Sequence, residues 1–242
     1  MYVKFSVQTS DRNIFACVVL YFVGHQIRFW KKPWGVAVTT DNKVLVTDAG
    51  AGPSEGCVAV FGVDGKFMSY VATGLSMPRG IAASIMGQVF VCDQEDRCVY
   101  VFDAHKNFSL VKVLKRDAAG KYLFTSPLHV TVARNLDIVV SDSGNIIKTF
   151  TSTFQLKATY QSPFLDSEFW GVCTDPQGHV YVADWKYGIH VLSSTSNLEF
   201  GGLLKNRDAV RILEPSAVAF HSQTGQLLIG SSTAQIFTAK LY

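Results

Sequence analysis

The chain holds no glycine-rich phosphate loop and no nucleophile elbow, which closes two common routes to nucleotide and acyl chemistry. Its five cysteines, Cys17, Cys57, Cys92, Cys98 and Cys173, fall in no Cys-x-x-Cys or other metal-ligand spacing. The count is odd, and the thiols sit in strand-like segments. That predicts buried free thiols in a reducing compartment, hence a cytoplasmic protein with no metal centre and no cofactor. Cys92 and Cys98 flank one turn, and a disulfide between them is the lesser reading. Long apolar runs are missing too. The longest, 14–24, is far short of a membrane span. Asp11 precedes it and no small-residue cleavage site follows, so it reads as strand rather than as a signal core. Net charge is only +3, from 22 basic and 19 acidic side chains, too little to name a partner by itself. No linker-like or low-complexity tract appears. At 242 residues and 48% hydrophobic content the chain reads as one domain, 1–242, with extensive buried faces.

What the chain does contain is a phrase repeated five times. It runs Pro33-Trp34-Gly35-Val36-Ala37-Val38, Pro78-Arg79-Gly80-Ile81-Ala82-Ala83, Pro127-Leu128-His129-Val130-Thr131-Val132, Phe169-Trp170-Gly171-Val172-Cys173 and Pro215-Ser216-Ala217-Val218-Ala219-Phe220. The starts lie 45, 49, 42 and 46 residues apart. A period of that size filled with strands is the mark of a β-propeller. In the second repeat the apolar run after Pro78 is followed by Gln88-Val89-Phe90-Val91-Cys92 ending at Asp93, then by Cys98-Val99-Tyr100-Val101-Phe102, then by 108–114. These are short segments rich in β-branched and aromatic residues, broken by turn residues. The fold class is therefore all-β, a propeller of four-stranded antiparallel blades with the opening strand nearest the axis. Asp64-Gly65 is a strong hairpin signal, because glycine tolerates positive φ.

The grammar resembles that of the NHL repeat family: a Pro-x-Gly-Ile/Val-Ala-Val start, a strand ending in Asp, a short turn often carrying Arg, and a strand ending in Phe. Glu95-Asp96-Arg97-Cys98-Val99-Tyr100-Val101-Phe102 fits the third element, and the resemblance covers roughly 33–242. It departs from the pattern at Phe169, at the missing Asp of the last repeat and at the enlarged turn 51–56. The resemblance implies a propeller of usually six blades. Residues 1–32 lack the opening phrase yet read as later strands of a blade, and the last repeat stops after three strands. Six blades, the first and last each incomplete, is the favoured reading. The alternative is five blades, with the N-terminal segment closing the last one. The ragged ends point to a fragment of a longer chain or a truncated product, since family members often place other domains upstream.

Candidate sites follow from this register. The residue after each repeat opener rings the mouth of the central channel: Trp34, Arg79, Leu128, Trp170 and Ser216. Two tryptophans and an arginine there suit partner recognition, or else the tryptophans act as structural plugs between blades. Trp185 follows Asp184 in a loop on the same face, with Tyr187 close behind, so both join Trp34, Arg79 and Trp170 as partner-binding candidates. Inter-blade loops on that face carry Lys31, Lys32, Lys115, Arg116, Lys121, Lys205, Arg207 and Arg211 against fewer acids: Asp117, Asp166, Glu168, Asp208 and Glu214. A cationic face of this kind suits a phosphate backbone, or is simply a solvated surface. Asp48, Asp93, Asp142 and Asp184 end the second strand of separate blades, which keeps them apart. They read as acceptors for backbone N–H groups, not as a metal or acid–base cluster. The six histidines fall in different registers, and His129, in place of the repeat glycine, reads as buried filler.

The resemblance implies two uses. One is docking of a protein, often as the substrate-recognising part of RING-type ubiquitin ligases of the tripartite-motif or malin kind. The other is binding of single-stranded RNA. A metal-dependent hydrolase or lyase in the axial channel is a distant third, because the inner strands offer little beyond His129 and Thr131. The expectation is a non-catalytic protein-binding module, with no RING-like Cys/His cluster of its own, so that any transfer activity comes from another region or subunit.

Overall fold

The computed structural model describes residues 31–52, 54–204, 214–232 and 235–240. Within them, five antiparallel sheets follow one another in chain order. The first blade is β1 (Pro33–Val38), β2 (Val44–Asp48), β3 (Gly56–Phe61) and β4 (Phe67–Leu75). The second is β5 (Pro78–Ala83), β6 (Gln88–Asp93), β7 (Cys98–Asp103) and β8 (Ser109–Leu114). The third is β9 (Pro127–Val132), β10 (Ile138–Asp142), β11 (Ile146–Phe150) and β12 (Leu156–Gln161). The fourth is β13 (Phe169–Thr174), β14 (Val180–Asp184), β15 (Gly188–Leu192) and β16 (Phe200–Leu203). The fifth has three strands, β17 (Pro215–His221), β18 (Gln226–Ser231) and β19 (Ile236–Lys240). This is the expected propeller. The choice between five and six blades rests on the N-terminal segment, and residues 1–30 lie outside the described residues.

The inner strands pack in succession, β1 on β5, β5 on β9, β9 on β13 and β13 on β17. The repeated glycine explains how they can. A Cβ on Gly35 would sit 2.7 Å from the Arg79 carbonyl, one on Gly80 2.6 Å from the His129 Cα, and one on Gly171 2.9 Å from the Ala217 Cα. Backbones of neighbouring blades therefore meet where a side chain would hold them apart. The hydrophobic core lies between blades rather than at one centre. Phe90 and Val101 of the second blade share a cluster with Val130, Ile138 and Phe150 of the third, and Phe124 joins them from the connecting loop. Phe169, the opener that replaces proline, is fully buried, with its ring 5.0 Å from His190 and 6.0 Å from Tyr160.

The four aspartates are buried acceptors, with a wider reach than a turn cap. Asp48 accepts the N–H groups of Lys31, Lys32 and Gly50. Asp93 accepts those of Ser76, Met77 and Asp96. Asp142 takes Thr125 and Ser126, and Asp184 takes Glu168, Lys186 and Tyr187. Each carboxylate thus ties the lead-in to its own inner strand, and in three blades the turn after β2, β6 or β14 as well. Charge-assisted bonds of this type are among the stronger ones in a fold. In two blades the residue before the aspartate adds a link to the next blade. Thr47 Oγ1 accepts from Gly35 N at 2.8 Å and donates to the Arg79 carbonyl at 2.5 Å. Ser141 Oγ accepts from His129 N at 3.1 Å and donates to the Trp170 carbonyl at 2.8 Å.

Candidate partner-binding site at the channel mouth

Because the inner strands share one register, the residue after each opener projects to the same end of the channel. Trp34 of β1 and Trp170 of β13 come from blades that are not neighbours, yet their rings stack with centroids 5.8 Å apart and planes 8° apart. Their contact crosses the axis and spans the mouth. Arg79 of β5 lies over Trp34, its guanidinium carbon 3.8 Å from the ring centroid. Trp185, in the turn after β14, folds down on Trp170 at 5.6 Å with planes tilted by 37°. The result is a layered stack, Arg79–Trp34–Trp170–Trp185, in which every member is partly exposed. The tryptophans therefore plug the mouth and leave a partly exposed aromatic surface on it.

The hydrogen bonds around the stack hold it in place. The Arg79 and Trp170 carbonyls are the two that Thr47 and Ser141 clamp. Arg79 Nε donates to Gln94 Oε1 at 2.7 Å, and Gln94 Nε2 donates to Ser126 Oγ at 2.8 Å. Burial pulls the Arg79 guanidinium down to about 10, against the opposing pull of Glu95 and Asp93, so it remains charged at neutral pH. Gln94 and Ser126 were not foreseen; their signal was only a polar turn position and a polar residue before Pro127.

Tyr187 does not join this stack. Its ring lies on Phe164 at 4.6 Å, in a separate aromatic group with His190 and Phe200. The cause is local: Asp184 pins the N–H groups of Lys186 and Tyr187. That sends the next ring along the turn away from the mouth.

Of the cationic candidates, Lys31, Lys32, Arg116 and Lys121 are exposed and Lys115 is half-buried, 4.0 Å from Asp96. Lys205, Arg207 and Arg211 lie outside the described residues. The structure adds one cation that was quoted only as part of the repeat pattern. Arg97 and Arg116 both lie over the Tyr122 ring, at 4.3 and 3.7 Å from its centroid.

His129 is buried, as its place in the inner strand requires. Among the described residues, no group of three or more His, Cys, Asp or Glu side chains could hold a metal ion. Cys57, Cys92, Cys98 and Cys173 are free thiols. Burial pushes Cys57 up to about 11 and Cys98 up to about 12, and lifts Cys92 and Cys173 well above the ordinary thiol range. Such thiols are poor nucleophiles.

No family model matches the chain. Among curated proteins, it is 30% identical over 158 residues to the Homo sapiens protein named E3 ubiquitin-protein ligase NHLRC1. The match takes in 63% of this chain and 38% of that protein, so the chain spans well under half the length of this relative. Among solved structures it is similar to virginiamycin B lyase from Staphylococcus aureus, with a TM-score of 0.60, 14% identity, and 86% of this chain and 70% of that one covered. It is also similar to a chain in a nidogen/laminin complex, with a TM-score of 0.63, 14% identity, and 81% and 71% covered. At such identities the structural likenesses speak for the fold alone. Blade geometry and the solved structures agree that the chain is a β-propeller, and the curated relative accords with the resemblance of its repeat phrase to the NHL type.

Proposed function

We propose that this propeller is a non-catalytic docking module that holds a protein partner on the face carrying Trp34, Arg79, Trp170 and Trp185. We propose further that it acts in the cytoplasm as the substrate-recognising part of a ubiquitin ligase system, with the transfer step left to another region or subunit. The observation that carries the docking reading is the stack itself. Three blades and a turn deliver three indoles and a guanidinium to one partly exposed surface, and Trp and Arg are the residues that dominate binding energy at protein interfaces. The ligase assignment draws on the curated relative, whose name is that of an E3 ubiquitin-protein ligase. The docking reading also agrees with the similar chain in the nidogen/laminin complex having been solved as part of a protein–protein complex.

Capture from a cell extract with the purified protein, with and without ribonuclease, tests this. Partners should persist after ribonuclease. They should be lost with Trp170→Ala or Trp34→Ala, whose effect on a purified partner should reach about thirtyfold in affinity, the size of an interface hot spot. Recovery of ubiquitin-pathway components supports the ligase assignment. Partners that vanish with ribonuclease overturn the docking reading and assign the face to RNA, with Lys31, Lys32, Lys115, Arg116 and Lys121 as its contacts.

A further inference from the structure

We infer that the 115–124 loop and the 94–97 turn form a receiving site for an acidic, extended segment of the protein partner, with carboxylates held by Arg97 and Arg116. This deepens the docking reading above and rests on it.

The geometry starts from Tyr122. The loop closes on itself through a bridge pairing of Arg116 with Tyr122. Arg116 Nη1 donates to the Gly120 carbonyl at 2.6 Å, and Arg97 Nε donates to the Phe124 carbonyl at 3.4 Å. Both guanidiniums thus lie over one ring, each with one of its five N–H donors in these bonds. A stacked, pre-oriented guanidinium loses little entropy when it takes a carboxylate on its remaining edge.

The local acids have other partners: Glu95, exposed in the same turn, acts electrostatically on Arg79. Asp117 Oδ1 is occupied by the N–H groups of Ala119 and Lys121. Asp96 accepts the Tyr100 hydroxyl at 2.8 Å and faces Lys115. Asp142 is held by Lys148 at 2.7 Å. Among the described residues no ion pair involves Arg97, Arg116 or Lys121.

The same geometry separates an acidic peptide from a nucleic acid. Sequence-tolerant binding of single strands needs ring faces on which bases stack. Here two guanidiniums cover Tyr122, and Arg79 and Trp170 cover Trp34. Each guanidinium over Tyr122 keeps N–H donors beyond the bonds named above, and these match carboxylate. The site also runs into the mouth. Gln94, in the turn that carries Arg97, joins Arg79 to Ser126 by hydrogen bonds. An extended chain can therefore lay its acidic residues on Arg97 and Arg116 and reach the indoles with its next apolar side chain.

Fluorescence anisotropy on the purified protein at low ionic strength tests this, with fluorescein-labelled deca-glutamate and labelled decauridylate as probes. Deca-glutamate should bind. Arg116→Gln and Arg97→Gln should each weaken it about tenfold or more, the range for a lost charge-assisted bond. Arg116→Lys should weaken it nearly as much, because it keeps the charge but loses the fork. Lys112→Gln, on the outer strand β8, should leave it within about twofold. Arg116 is exposed, so its variants should keep the wild-type melting temperature, which a thermal melt verifies. No binding of deca-glutamate, equal losses for Lys112→Gln and Arg116→Gln, full rescue by Arg116→Lys, or tighter binding of decauridylate each overturn the site. Cellular capture that survives ribonuclease while deca-glutamate fails to bind overturns this site and leaves the docking reading standing.

Discussion

Gly80 carries more of the architecture than any side chain near it. The Cβ it omits would lie 2.6 Å from the His129 Cα and 2.7 Å from the Leu128 carbonyl, both backbone atoms of the next blade. Backbone cannot swing aside as a side-chain tip can. Gly80→Ala is therefore expected to destabilise the fold by about 2–3 kcal/mol, the range for overpacking. Gly144 makes the comparison. Its φ is +73°, and a Cβ there would meet nothing within 4 Å. Gly144→Ala should lose only the price of left-handed backbone, about 1 kcal/mol. Urea denaturation of both variants measures the difference, and equal losses would refute the close-approach account. The repeat phrase displayed this glycine in the sequence, since its recurrence is what revealed the period. The blade-to-blade distance that gives it meaning was not written there, because no residue near it in the chain is the one it touches.

Strands were readable because each has its own pattern: alternation, a closing aspartate, a turn. Pro33, Pro78, Pro127, Phe169 and Pro215 open the inner strands as the phrase predicts. Connections were less readable. The expected caps for Asp48, Asp93 and Asp142 lay in the turn after the aspartate, yet each holds N–H groups 16 and 17 residues earlier in the chain, and only Asp48 and Asp93 hold the turn as well. Tyr122 between two arginines had no signal, because a loop without periodicity does not say which ring its cations will find. Tyr187 was grouped with the mouth by nearness in sequence, and the pinned turn after β14 sends it to Phe164 instead. At this level the hydroxyl link between blades is the feature to test. Thr47→Val keeps the shape and removes both bonds, which strips Gly35 N of its acceptor and the Arg79 carbonyl of its donor. A loss of about 1–3 kcal/mol is expected for buried groups left unsatisfied. Faster hydrogen exchange at Gly35 should accompany it. No change in either would mean that the link is incidental.

For the propeller as a unit, acid is the informative stress. Burial by itself would raise Asp184, but the contact with His190, the Ser167 hydroxyl and the N–H groups of Lys186 and Glu168 outweigh it and hold the carboxyl below its ordinary 3.8. A depressed folded value contributes stability that is present above the unfolded pKa and disappears as pH falls through the folded one. Asp93 works in the opposite direction. Burial chiefly raises it, so its charged form weighs against the fold at neutral pH and that penalty lifts on protonation. Asp184→Asn should lower stability at pH 7 by about 1–3 kcal/mol, the range when buried donors lose an acceptor. It should also flatten the fall of stability below about pH 4. Urea midpoints measured across that range settle it: an unchanged acid slope in the variant would show that Asp184 is not among the groups that drive acid unfolding.

The contact between Trp34 and Trp170 has an optical meaning. Two indoles stacked face to face at this separation couple their electronic transitions, and the twist between their transition dipoles sets the sign and size of a pair of circular-dichroism bands that neither produces alone. One indole belongs to the first blade and the other to the fourth, so the coupling exists only while the ring is drawn together across its axis. The propeller therefore carries an internal gauge of its own closure. Trp185 couples to Trp170 within the fourth blade as well, so the part of the signal that survives Trp185→Phe is the part that reports the arrangement of blades around the channel.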